Sequence, residues 1–137
     1  MLRTVSGIVA GVLLAFAVLI GLEMAGHAAM PPPTGPDPRD PENLKQMVAS
    51  APLAAKAWVV FGWFVATLAG GWLARRLSGK GWAGWVIAGL ILLGGIANIM
   101  MIPHPLWMQV AAVAAPLLAG VIVMRLPSGG SAAAAAG

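Results

Sequence analysis

"VSGIVAGVLLAFAVLIGLEM", residues 5–24, is the stretch on which the fold turns. Its 20 positions carry one charge, Glu23. About 20 apolar residues, rising about 1.5 Å each as a helix, cross a hydrocarbon core of roughly 30 Å. Three more runs of this kind follow: Ala57 to Ala74 with 18 residues, Gly81 to Ile102 with 22, and Leu106 to Met124 with 19. In lipid only helices or closed barrels satisfy their own backbone groups, and none of the runs alternates as a barrel strand must. The predicted fold is therefore all-α: an integral membrane four-helix bundle with a Pro-rich outer loop and a short amphipathic surface helix. One domain covers residues 1–127, with spans at about 5–26, 53–74, 81–102 and 106–125 and an outer loop over 28–52. Residues 128–137, "SGGSAAAAAG", read as a flexible low-complexity tail.

Composition agrees with lipid as the solvent. The chain is 60% hydrophobic and only 9% charged, with a mean hydropathy of +0.89. A soluble fold of 137 residues needs far more polar surface. Cysteine is absent, which removes disulfides, thiolate nucleophiles and cysteine-held zinc or iron–sulfur centres. The pI near 10.9 does not indicate nucleic acid, because the eight Lys and Arg are scattered between apolar runs and form no stripe.

Alternating spans put Arg3, Arg75, Arg76, Lys80 and Arg125 on one side, without an acid. Glu23, Asp37, Arg39, Asp40, Glu42, Lys45 and Lys56 fall on the other. The positive-inside rule then predicts both termini in the cytoplasm and the Pro-rich loop outside, on the periplasmic or extracellular face. The first run is expected to be an uncleaved span, since it is longer than a signal-peptide core and no good A-x-A site follows.

Within the loop, Pro31, Pro32, Pro33, Pro36, Pro38 and Pro41 predict an extended, polyproline-like strap. In "DPENLKQMVAS" the pattern changes: Asp40 suits an N-cap, Pro41 the first helical position, and Leu44, Met47 and Val48 share one face. The next helix is expected to be capped at Ser50 or Ala51, with Pro52 inside it.

Small residues recur at four-residue spacing: Gly7, Gly11 and Ala15; Gly62, Ala66, Gly70 and Ala74; Gly84 and Ala88; Ala111, Ala115 and Ala119. Such seams let helices approach closely in lipid, where hydrophobic drive is small. Packing within the chain is the first reading of them, and a homo-oligomer or larger membrane complex using a leftover seam is the second. Pro116 is expected to bend the fourth helix. Trp58 and Trp107 at one boundary, and Trp72, Trp82 and Trp85 at the other, read as interfacial anchors, with Trp63 deeper and in the core.

The candidate site is polar. Glu23 and His27 stand four residues apart, on one face of the first helix. Asn98 near the end of the third span and His104 in the "IPHPLW" turn lie, by topology, at the same end. A carboxylate with imidazoles can exchange a proton, coordinate a metal or hold a cation. For a metal, Glu23, His27 and His104 offer one oxygen and two nitrogens, but E-x-x-x-H is a weak spacing with no H-x-x-x-H to reinforce it, and no metal or cofactor is expected. There is neither a serine elbow nor a carboxylate dyad, so no enzyme is expected. The first reading of the cluster is a structural tie between the hairpins: Glu23 hydrogen-bonded to His27 or to the third span, Asn98 in an interhelical bond, His104 a turn residue. The leading expectation is a non-enzymatic accessory or partner-binding membrane protein. The runner-up is a small proton- or cation-coupled transporter using Glu23 and His27.

These residues also carry a resemblance. Glu23 and His27 closing the first span, "PPPTGPD" after it, and "NIMMIPHPLW" from Asn98 to Trp107 resemble a group of small, uncharacterised bacterial four-helix inner-membrane proteins. The resemblance extends to Arg125 and implies a fold and a bacterial inner-membrane setting, but no activity. Met30 departs from it, since an aromatic residue is expected before the prolines. The small multidrug resistance exporters are also short four-helix chains with one glutamate in the first helix. That glutamate lies mid-membrane among aromatics, whereas Glu23 is expected near the outer end, tyrosine is absent, and the charge bias opposes dual insertion.

Overall fold

The computed structural model describes residues 1–32, 34–35 and 37–127. Five helices follow in order: α1 (Leu2–Ala29), α2 (Pro41–Ser50), α3 (Leu53–Ser78), α4 (Trp82–Met101) and α5 (Leu106–Arg125). All but α2 are long and apolar enough to cross a membrane. The chain is thus a helical bundle of the multi-pass membrane type. The predicted tail at 128–137, and Pro33 and Pro36 of the predicted strap, lie outside the described residues.

Its interior inverts the order of a soluble protein. Ala66, Ala74, Ala83, Ala88, Ala112 and Ala119 are fully buried, while Leu13 is 66%, Leu93 65% and Leu118 56% exposed. Small residues inside and large ones outside suit a bundle whose surroundings are as apolar as its core, so that close backbone approach holds the helices together. Thr67, also fully buried, donates its hydroxyl to the Trp63 carbonyl one turn back at 2.7 Å, which leaves the core no unsatisfied group there.

Helix α3 is the hub, packing on α1, α4 and α5; α4 and α5 pack on each other, and α1 touches α4 but not α5 among the described residues. The α1–α3 seam is the tightest. A Cβ on Gly70 would lie 2.5 Å from the Gly11 carbonyl oxygen and 2.7 Å from the Ala15 Cβ. One on Gly7 would lie 2.7 Å from the Ser78 nitrogen. Only glycine fits such backbone contact. On the other face of α3, Gly71 meets Gly84 of α4 and Val123 of α5, and Gly95 of α4 faces Ala112 of α5. The α1–α3, α3–α4 and α4–α5 pairings are antiparallel, whereas α3 and α5 run parallel, their C-terminal parts meeting at Gly71 and Val123. On α5 the seam passes through Ala112, Ala115 and Ala119, with the predicted Ala111 only half-buried. Pro116 is buried within α5, which runs unbroken past it.

The turns follow local chemistry. Asp40 caps α2 by accepting from the Glu42 N–H at 3.0 Å, with Pro41 first in the helix as the sequence predicts. Helix α3, however, begins at Leu53 with Pro52 as its N-cap at ψ 148°. The expected cap at Ser50 or Ala51 is corrected on this point, because Ala51 before a proline is extended and α2 ends there. Gly79 closes α3 at φ +70°, a left-handed conformation that only glycine adopts at no steric cost. Among the described residues helix α2 packs on none of the long helices, and Lys56 of α3 ties back to it by donating to the Ala49 carbonyl at 3.2 Å.

Candidate functional site

Antiparallel packing brings the C-terminal part of α1 against the N-terminal part of α3. There the two helices diverge around a cleft of about 130 Å³. Leu19, Leu22, Ala55 and Val59 make apolar walls; Glu23, His27, Met30 and Trp58 complete the lining. The closure above it is specific. Gly26 leaves room for the Trp58 indole, whose Nε1–H donates to the Leu22 carbonyl at 2.7 Å. A Cβ on Gly26 would lie 2.6 Å from the Trp58 Cδ1. The Leu22 carbonyl thus receives a second donor beside its helical one, and α1 is pinned to α3 near one end. Trp58 is a cross-helix strut and not simply the boundary anchor predicted for it.

Glu23 and His27 line the cleft together. The His27 Nδ1–H donates to the Glu23 backbone carbonyl at 2.9 Å. That bond uses one ring nitrogen and leaves Nε2 as an acceptor. The Glu23 carboxylate has no hydrogen-bond or ion-pair partner among the described residues. The cross-helix tie on this side therefore runs through Trp58.

Depth matters for that carboxylate. Gly11 lies by Gly70, Gly26 by Trp58, and Gly71 by Gly84. Extending this register places Glu23 level with about Gly94 of α4. Gly94 lies seven residues before Met101, about 10 Å inside the helix end at 1.5 Å per residue. His27, one turn higher, is level with Asn98. The acid is thus about two turns below the end of a 20-residue span, and its side chain is exposed.

Asn98 and His104 occupy the same end of the bundle but do not line the cleft. The Asn98 Oδ1 is buried without a partner, so the expected interhelical bond is absent among the described residues. His104 is a turn residue: its Nδ1–H donates to the Ile102 carbonyl at 2.6 Å, and its own carbonyl accepts from Gln109 Nε2 at 2.9 Å. The four polar residues thus divide into a cleft pair, Glu23 and His27, and a separate pair near the α4–α5 turn. No group of three or more His, Asp and Glu side chains converges as a metal site among the described residues. Met30 and Trp58, which the sequence did not mark as site residues, join the cleft. Their only sequence signal is the Gly26-to-Trp58 register, which needs the helix pairing to be known.

Comparison with protein-family models, with curated proteins and with solved structures finds no match to this chain.

Proposed function

We propose that this protein is a non-enzymatic binding or accessory component of a bacterial inner membrane, with both termini cytoplasmic. Its α1–α3 cleft receives a cationic group with an apolar flank, from a small amphiphile or a partner's side chain. One observation carries the reading: Glu23, exposed on α1 about two turns inside the span, lines an open cleft with apolar walls and has no counter-charge among the described residues. A charge in a span is costly and rarely left unpaired, so a carboxylate there points to a ligand that supplies the cation. Trp58 beside it offers an aromatic face to the same cation, and the free Nε2 of His27 offers an acceptor.

Binding is favoured over transport by what lies beneath the cleft. Below Leu19 and Gly62 the α1–α3 seam closes to backbone contact at Gly70, Gly11 and Ala15. The cleft is blind, and a carrier would have to open the tightest interface in the molecule. The transporter reading keeps the support of the Glu23 and His27 pair, whose residue types can exchange protons.

A direct test titrates the purified chain with dodecyltrimethylammonium and follows tryptophan emission, using Trp58→Phe to isolate the responding indole. Saturable quenching that disappears in Glu23→Gln supports the reading. Equal response of the Glu23→Gln protein refutes it. Proteoliposomes that take up the labelled cation down an imposed proton gradient would instead establish the carrier.

A further inference from the structure

We infer that the end of the bundle opposite the cleft binds the phosphate of an anionic phospholipid, in a site made by Arg76, Lys80 and Arg125. The inference stands apart from the function proposed for Glu23.

Five cations gather at this end, Arg3, Arg75, Arg76, Lys80 and Arg125, while all four acids of the chain lie towards the other. The five have different roles. The Arg3 Nε–H donates to the Leu77 carbonyl at 2.8 Å, near the end of α3. Arg75 donates from its guanidinium to the Val123 carbonyl, near the end of α5. Each donates to a carbonyl in the last turn of a helix, that of Val123 being shared with the Leu126 N–H, and each places positive charge at the negative end of a helix dipole. These two are committed to the fold.

Arg76, Lys80 and Arg125 are exposed, and no side-chain hydrogen bond to an acceptor in the chain engages them among the described residues. They are held near one another by the packing. The Lys80 backbone is fixed by its N–H donating to the Ser78 hydroxyl at 3.1 Å, and Gly81 packs against the Met124 side chain beside Arg125. The Arg76 guanidinium lies over the Trp72 ring, 5.2 Å from its centre, so its charge stays along the helix wall. Trp72, Trp82 and Trp85 are exposed at the same level, where indoles mark the headgroup layer. Three unneutralised cations at that level, rimmed by indoles and without a competing acid, complement a lipid phosphate.

The test uses the full chain in a neutral detergent. Lipid binding is read by native mass spectrometry and by the shift in melting temperature. The probes are phosphatidylglycerol, phosphatidylcholine and free glycerol phosphate. Phosphatidylglycerol should bind saturably and raise the melting temperature, phosphatidylcholine should bind far more weakly, and glycerol phosphate alone should do neither. At about 1 kcal/mol per basic residue, each of Arg76→Gln, Lys80→Gln and Arg125→Gln should weaken phosphatidylglycerol binding roughly fivefold, and the triple variant on the order of a hundredfold. Lys45→Gln with Lys56→Gln, at the far end, should leave it unchanged. Should the triple variant not fold, the three single variants carry the test. Equal binding of the two lipids, equal loss from the far-end variant, or undiminished binding by the Gln variants overturns the inference.

Discussion

Arg75 and Glu23 each bring a charge to the edge of an apolar bundle, and the chain treats them differently. Arg75 donates to the Val123 carbonyl near the end of α5 and is thereby part of the fold. The Glu23 carboxylate reaches no partner among the described residues. Glu23→Gln is therefore expected to leave thermal stability in detergent within about 0.5 kcal/mol of the parent, as for a group outside packing and networks, while abolishing cation binding. A large loss of stability would mean that the carboxylate ties helices after all. Trp58→Phe keeps the ring but removes the Nε1–H that Leu22 accepts, and should cost about 0.6 to 1.7 kcal/mol in an unfolding titration. Asn98 offers the reverse case. Its buried, partnerless carbonyl oxygen makes Asn98→Leu neutral or stabilising by about 1 kcal/mol, and a comparable loss would reveal a partner such as a bound water.

At the scale of elements, α1 depends on one seam. It leans on α3 through Gly7, Gly11 and Ala15, has a minor contact with α4 and none with α5 among the described residues. Gly70→Val inserts branched carbons where the Gly11 carbonyl already sits, so overpacking should destabilise by about 1–3 kcal/mol or more and loosen α1 first. Gly21 of α1, by contrast, has nothing within 4 Å of a built Cβ. Gly21→Leu should be tolerated, and comparison of the two melting curves checks the contrast. Both glycines look alike as small residues in an apolar run; the difference arises from which face α3 covers. The same reasoning explains the turn of the α5 seam onto Ala112, since a helix has alanines at 111, 112, 114 and 115 from which only packing can choose.

For the whole molecule, the expected threading puts Thr34 and Lys80 on opposite sides of the membrane. The chain has no cysteine of its own, so single cysteines introduced at those positions should react with an impermeant maleimide from opposite faces; reaction from the same face would overturn the threading. Four spans, the loop and its capped short helix were legible in sequence because they rest on local quantities: run length against bilayer thickness, the cap at Asp40, the φ restriction of proline. The polar residues were legible as chemistry but not as a site. Glu23, His27, Asn98 and His104 share an end of the bundle because alternation dictates it, yet only Glu23 and His27 share a cleft, because azimuth about each helix is set by neighbours far away in the chain. What the sequence by itself determined was the number of crossings and the end at which each charge lies. Only the tertiary structure decided that Trp58 pins α1, that Arg3 and Arg75 are absorbed by helix ends, and that Glu23 meets no partner among the described residues, since each depends on the seams that bring α1 and α5 against α3 in one register.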